Sequence, residues 1–173
     1  MGLASWWDAM KDFEKRIGKL FAKNYYLIPS DGKLFKEIIT KMSEPYKNIK
    51  FDKVIGLETR GFFYGPVIAE RLGKGFIPVF KKGKIENPIS TDCYIDHSGT
   101  EKCLEMITDS IEKNEKVIIV DDWFETGKTG KAIVNLIEKL GGKIVGISII
   151  YNQMSQKDED FFKQYNLHYL LKR

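Results

Sequence analysis

The sequence predicts an α/β fold, an open and mainly parallel sheet flanked by helices. Short apolar runs at 53–57, 76–80, 117–120 and 143–151 have the make-up of strands buried on both faces. Segments of helical period lie between them, and such strand–helix–strand alternation argues for parallel pairing through right-handed crossovers. The 173 residues, 43% hydrophobic and 30% charged, suit a single soluble domain with enough length for a proper core.

In chain order, residues 5–23 read as an amphipathic helix with Trp6, Met10, Phe13, Ile17, Leu20 and Phe21 on one face. Such a face packs on its own domain or across a dimer more readily than it lies on a membrane. Residues 25–28 read as extended, and Pro29-Ser30-Asp31-Gly32 as a turn. A second helix is expected over 34–43, ended by Pro45. The strand at 53–57 opens the core, a helix over 61–72 stops at Gly73, and the strand at 76–80 follows. Residues 81–88, rich in glycine and lysine and weakly periodic, are expected as a mobile loop that continues into a strand at 89–96. Residues 101–112 read as a helix leading into the central strand at Val117. Beyond it, Ile133, Val134, Leu136, Ile137 and Leu140 recur at helical spacing before Gly141-Gly142. A strand over 143–151, a short helix over 158–164 and an edge strand over 167–171 complete the chain, with no repeat, low-complexity tract or linker.

The chemistry concentrates at residues 117–130, V-I-I-V-D-D-W-F-E-T-G-K-T-G. Asp121 and Asp122 fall at the carboxyl end of the buried strand, where open α/β sheets put their ligand crevice. The polar loop Glu125-Thr126-Gly127-Lys128-Thr129 then enters a helix amino terminus, which offers backbone N–H groups and a favourable dipole to a phosphate. Two carboxylates just upstream can accept hydrogen bonds from vicinal hydroxyls of a sugar. A ribose phosphate fits both halves of the pattern. Gly127-Lys128-Thr129 resembles the end of a Walker A loop, but Asp122 stands where that motif needs its first glycine, so a triphosphatase loop is excluded.

Composition narrows the partners. A net charge of +4 is too mild and too scattered to argue for nucleic acid. Cys93 and Cys103, accompanied only by His97 and His168, lack metal-site spacing and read as reduced thiols of a cytoplasmic protein. The start, with Trp6, Trp7, Asp8 and Lys11, lacks the apolar core of a signal peptide, and no run has the length to span a bilayer. The expectation is a soluble, intracellular protein.

The 117–130 stretch resembles the PRPP-binding motif of the type I phosphoribosyltransferases, enzymes that use phosphoribosyl pyrophosphate (PRPP). A second block, Val54-Ile-Gly-Leu-Glu-Thr-Arg-Gly-Phe-Phe-Tyr-Gly-Pro66, is similar to the pyrophosphate-loop signature of the adenine phosphoribosyltransferases. A third, Gly32-Lys-Leu-Phe-Lys-Glu-Ile-Ile-Thr40, resembles that family's amino-terminal hood, and the likeness spans about residues 24–151. It implies a type I phosphoribosyltransferase fold over 1–173, with the helix and a small hood at about 1–45. The reaction implied is Mg²⁺-dependent displacement of pyrophosphate from PRPP by a ring nitrogen of a purine, adenine first, in a homodimer.

The same resemblance assigns roles residue by residue. Asp121 and Asp122 engage the ribose hydroxyls, directly or through water and Mg²⁺; a bound cation would offset their mutual repulsion. Backbone groups of the 125–129 loop, with the hydroxyls of Thr126 and Thr129, hold the 5-phosphate, and Gly127 and Lys128 belong to the same loop. Thr59, Arg60 and Gly61 form the pyrophosphate loop, Gly61 for close backbone approach and Arg60 for bidentate oxygen recognition; that loop often holds a cis peptide in the family. Lys81 and Lys84 match basic positions of a lid that excludes water. The base is expected between Leu27 and Ile28 of the hood and the residues Trp123 and Phe124, aromatics that either stack on a purine or pack internally.

Departures from the family's pattern keep rivals open. Phe80 stands where the adenine enzymes usually carry arginine, and the glutamate of their flexible loop has only Asp96 and His97 as counterparts here. Glu125 and Lys128 replace alanine and glycine, which resembles the hypoxanthine-guanine enzymes. Glu125 is therefore a general acid/base candidate toward the base ring, or else faces solvent or helps hold Mg²⁺. Residues 152–173 lack the adenine family's usual glycine-arginine pattern. The alternatives are a 6-oxopurine transferase and a PRPP- or nucleotide-sensing regulator, because a fold alone does not imply catalysis.

Overall fold

The computed structural model describes residues 3–86, 89–96 and 98–172, with side chains described at 11–20 and from residue 24 onward. The chain divides into two compact units, Met1–Lys41 and Met42–Arg173.

The first unit begins with helix α1, Leu3–Asn24. Of its anticipated apolar face, Phe13 and Ile17 are buried and Leu20 is half-buried, while the side chains of Trp6, Met10 and Phe21 lie outside the described residues. Arg16 ties α1 to the next helix through Glu37 at 2.6 Å. Residues Tyr25–Ser30 form a 3-10 helix, where an extended segment and a turn were expected. Asn24 Oδ1 accepts the Tyr26 N–H at 3.0 Å, giving the first helical turn the cap it needs. Asp31 Oδ1 does the same for Leu34 N–H at 3.0 Å, which lets helix α2, Gly32–Ser43, start two residues before the periodicity suggests.

The second unit is built on a sheet. Its strands are β1 (Lys53–Leu57), β2 (Gly75–Lys81), β3 (Ile89–Ile95), β4 (Glu101–Ile107), β5 (Lys116–Phe124), β6 (Lys143–Asn152) and β7 (Leu167–Lys172). Among the described residues they form one seven-stranded sheet in the order β3-β4-β2-β1-β5-β6-β7. The neighbours β2-β1-β5-β6-β7 pair parallel, and β4 joins β3 and β2 antiparallel. Helices α3 (Gly61–Leu72), α4 (Lys128–Lys139) and α5 (Gln156–Lys163) complete the unit. Gly73, at φ 64°, closes α3 in the left-handed conformation, where glycine meets no Cβ penalty. The core gathers Ile55, Val79, Val117, Ile119, Ile133, Leu136, Ile147 and Ile149, all essentially without exposure.

Two expectations fail here, for one reason. Residues 101–112 are not a helix: 101–107 form β4, and a 3-10 turn, Thr108–Ser110, follows. Glu, Lys, Leu and Met favour helix locally, but pairing with β3 along a seven-residue register overrides that preference. The hairpin sets Cys93 opposite Cys103, and the two form a disulfide. They are not the separate reduced thiols expected; ten positions of sequence separation look unclustered only until the chain turns back on itself.

Candidate active site

The carboxyl ends of β1 and β5 open beside each other because the two strands pair in parallel. From β1 the chain runs into Glu58-Thr59, a cis peptide, and then into α3 at Gly61. Gly61 seats that turn against β5: a Cβ there would lie 3.0 Å from the Val120 carbonyl oxygen and 3.3 Å from Asp121 Oδ1. Glycine is required by proximity. Arg60, at the amino end of α3, pairs through Nε with Asp122 Oδ2 at 2.8 Å, and its guanidinium lies 5.8 Å over the Trp123 ring. The two sequence blocks therefore meet in space.

Both aspartates are buried, Asp121 at 6% and Asp122 at 3% exposure. Burial first, and then the neighbouring Asp122 charge, holds the Asp121 carboxyl well above its ordinary range. Burial also raises Asp122, while Arg60 opposes the shift. Asp121 Oδ1 accepts the Asp122 N–H at 2.9 Å, but buried Asp122 Oδ1 has no hydrogen-bond partner. One guanidinium thus serves two carboxylates, and an oxygen acceptor remains unsatisfied.

Glu125, Thr126, Gly127, Thr129 and Gly130 line a cavity of about 320 Å³ that Arg60 and Trp123 also border. Gly127, at φ 72°, caps α4, and a Cβ on it would come within 2.8 Å of Phe162 and 2.9 Å of Met154 Sδ. Gly130 is equally confined, with Phe124 2.7 Å from its would-be Cβ. Phe162 of α5 and Met154 thus back the loop, a support that the sequence reading did not assign to the carboxy-terminal segment. Phe124, although it reaches the cavity, is buried and packs on Phe162 with ring centroids 5.2 Å apart.

Of the anticipated residues, the cavity brings together Arg60, Lys81, Trp123, Phe124, Glu125, Thr126, Gly127 and Thr129. Asp121 and Asp122 are buried and do not line it; Asp122 is tied to the lining residue Arg60. Thr59 and Lys128 are exposed beside it, and Lys84 is exposed on the 82–84 turn. That turn is fastened by buried Glu105, which accepts the N–H groups of Gly83 at 2.9 Å and Lys84 at 3.4 Å. Ile28 is buried and Leu27 half-buried, both in the first unit. Phe80, in place of the family's arginine, sets its ring edge-on to Phe62 at 5.4 Å and belongs to an aromatic cluster with Phe76. Asp96 lines the cavity, its carboxyl held below the usual range chiefly by Ser98; His97 lies outside the described residues. Sequence reasoning missed Tyr94 and Lys102, which complete the wall. Tyr94 was within reach of the alternation over 89–96, but Lys102 was not while 101–112 read as a helix.

The phosphoribosyl transferase domain family matches residues 22–169. The chain belongs to that family. It is 39% identical over 150 residues to an adenine phosphoribosyltransferase of Clostridium botulinum, covering 86% of each chain. With the Roseobacter denitrificans adenine phosphoribosyltransferase it shares 43% identity over 121 residues, 70% of this chain and 68% of that one. Among solved structures, the adenine phosphoribosyltransferase of Saccharomyces cerevisiae, complexed with D-2,5-dideoxy-2,5-imino-altritol 1,6-bisphosphate and adenine, superposes with a TM-score of 0.73. That match has 28% identity and covers 86% of this chain and 85% of the other. Among the described residues, no helix is long and apolar enough to cross a membrane.

Proposed function

We propose that this protein transfers the phosphoribosyl group of PRPP to adenine, giving adenosine monophosphate and pyrophosphate in purine salvage. The observation that carries the reading is the convergence of Arg60 and the 125–130 loop on one cavity, in a chain 39% identical to an adenine phosphoribosyltransferase over 86% of its length. The 5-phosphate lies on the loop, at the amino end of α4, where N–H groups lack intrahelical partners. Asp121 and Asp122 take the ribose hydroxyls, and Arg60 and Lys81 take the pyrophosphate.

Arg60 has two claimants in this scheme. As pyrophosphate arrives, the guanidinium moves from Asp122 to the leaving group, and Asp122 is freed for the ribose side. Negative charge builds on pyrophosphate in the transition state, and the guanidinium, moved to it when PRPP binds, stabilises that state. Lys81 and Lys84 of the lid add charge there and exclude water from the cation-like ribose. Trp123 offers a half-buried aromatic face to the base.

The donor set fits Mg²⁺: hard carboxylate oxygens, one of them buried without a partner. Asp121 and Asp122 would hold it, directly or through water. When bound, it would neutralise part of the pyrophosphate charge. We propose a homodimer as the working form, with α1 as a candidate pairing surface.

A second reading, transfer to a 6-oxopurine, is favoured by Glu125, an exposed carboxylate on the cavity wall. Glu125→Ala separates the two. Unchanged turnover with adenine removes Glu125 as a proton-transfer group. The salvage reading itself is tested by incubating adenine and PRPP with Mg²⁺ or with a chelator and separating the products. Adenosine monophosphate formed only with Mg²⁺ supports it; none under either condition overturns it.

A further inference from the structure

The β3–β4 hairpin lies along α4, and among the described residues four side-chain hydrogen bonds join the two in order. Lys139 Nζ reaches the Thr91 carbonyl at 3.4 Å, and Asn135 Nδ2 reaches Asp92 Oδ2 at 3.3 Å. Thr129 Oγ1 donates to Tyr94 Oη at 2.9 Å, and Lys128 Nζ reaches the Asp96 carbonyl at 3.4 Å. Three of these are exposed; the Tyr94–Thr129 bond is partly buried, short, and borders the cavity on both sides. It is also the contact that joins the hairpin to a hydroxyl of the phosphate loop. Lys128, a departure from the family's usual glycine, gives the hairpin tip its anchor next door.

We propose that Tyr94 is a positioning residue for the sugar 5-phosphate, acting through Thr129. The proposal rests on the reading of the 125–130 loop as the phosphate subsite. Hydroxyls are both donor and acceptor, and their protons rotate to suit. A phosphate oxygen on the loop is a stronger acceptor than a phenol, so it draws the Thr129 proton to itself. The phenol then reverses and donates to Thr129 Oγ1. The chain Tyr94 O–H to Thr129 O–H to phosphate oxygen is polarised in one direction, each bond strengthening the next, and its last member is charge-assisted. No bond other than hydrogen bonds forms or breaks. Tyr94 thus fixes which way the Thr129 proton points.

The test measures ribose 5-phosphate binding by calorimetry to the wild-type protein, Tyr94→Phe, Thr129→Val and the double variant, with KM for PRPP, KM for adenine and kcat alongside. Tyr94→Phe keeps the ring and its packing, and melting curves verify that each variant is folded. Loss of one hydrogen bond feeding a charged acceptor predicts about tenfold weaker ribose 5-phosphate binding and a similar rise in KM for PRPP. KM for adenine and kcat stay near wild type, because the phosphate is held equally in ground and transition states. The double variant binds no more weakly than Thr129→Val alone. Binding by Tyr94→Phe within about twofold of wild type, or losses that multiply in the double variant, overturns the relay while leaving the phosphate subsite standing. Failure of the wild-type protein itself to bind ribose 5-phosphate overturns both.

Discussion

Asp122 is a 3% exposed carboxylate beside another, with one oxygen on Arg60 and the other unpartnered. Asp122→Asn keeps the shape and removes the charge that Arg60 and the substrate share. We expect kcat/KM for PRPP to fall by about 100-fold, read from initial rates, with the melting temperature little changed. The pH behaviour of another residue can be signed. Half-buried His168 has a buried Nδ1 without a partner, and burial lowers its pKa from the ordinary 6.5. The unfolded chain therefore takes this proton first as pH falls. Stability rises with pH between the lowered folded value and 6.5, and is lost on acidification through that window. In His168→Gln, urea midpoints compared across that window should show a smaller loss; an unchanged slope would count against the assignment. Most of the candidate site was legible at this scale, because Asp121, Asp122, Arg60 and the 125–129 loop sit in short motifs beside a strand end and a helix start. The strand that carries Tyr94 was within reach, but not the tyrosine's hydrogen bond to Thr129, a partner 35 positions away.

Arg60, just before α3, and the β3–β4 hairpin residues Tyr94, Asp96 and Lys102 border the cavity together with the 123–130 segment. Gly61 lets α3 approach β5, so Gly61→Ala should cost about 1–3 kcal/mol in stability by forcing that turn off the strand, measured by denaturant unfolding, and should displace Arg60 as well. A variant as stable and active as wild type would show that the contact relaxes freely. At the hairpin, Glu105 fastens the turn that carries Lys84 through two backbone N–H groups. Glu105→Gln leaves an acceptor without the charge. Hydrogen exchange at Gly83 should quicken and KM for PRPP should rise a few-fold, whereas unchanged exchange would show that the turn is held elsewhere. The buried parallel strands and α3 were readable from periodicity alone, since their apolar runs are dictated by burial on both faces. Strand β4 was not, because its composition favours a helix and only its non-local partner makes it a strand. The Cys93–Cys103 pairing went unread with it.

At the scale of the molecule, a parallel sheet gathers motifs from distant parts of the chain at the carboxyl ends of neighbouring strands, as open α/β folds do. The order β2-β1-β5-β6 brings the second block, at the end of β1, against the central stretch, at the end of β5. Phe80 takes an arginine's place in an aromatic cluster without disturbing that juxtaposition, and Arg60 with Lys81 keeps cationic charge at the cavity. The proposed function is transfer of phosphoribose to adenine at this cavity. It is tested most directly by the initial rate of pyrophosphate release from PRPP and Mg²⁺ with adenine, hypoxanthine, guanine and xanthine supplied one at a time. Rapid release is expected with adenine and background rates with the three oxopurines. Release with an oxopurine and none with adenine, or no release with any base, would contradict it.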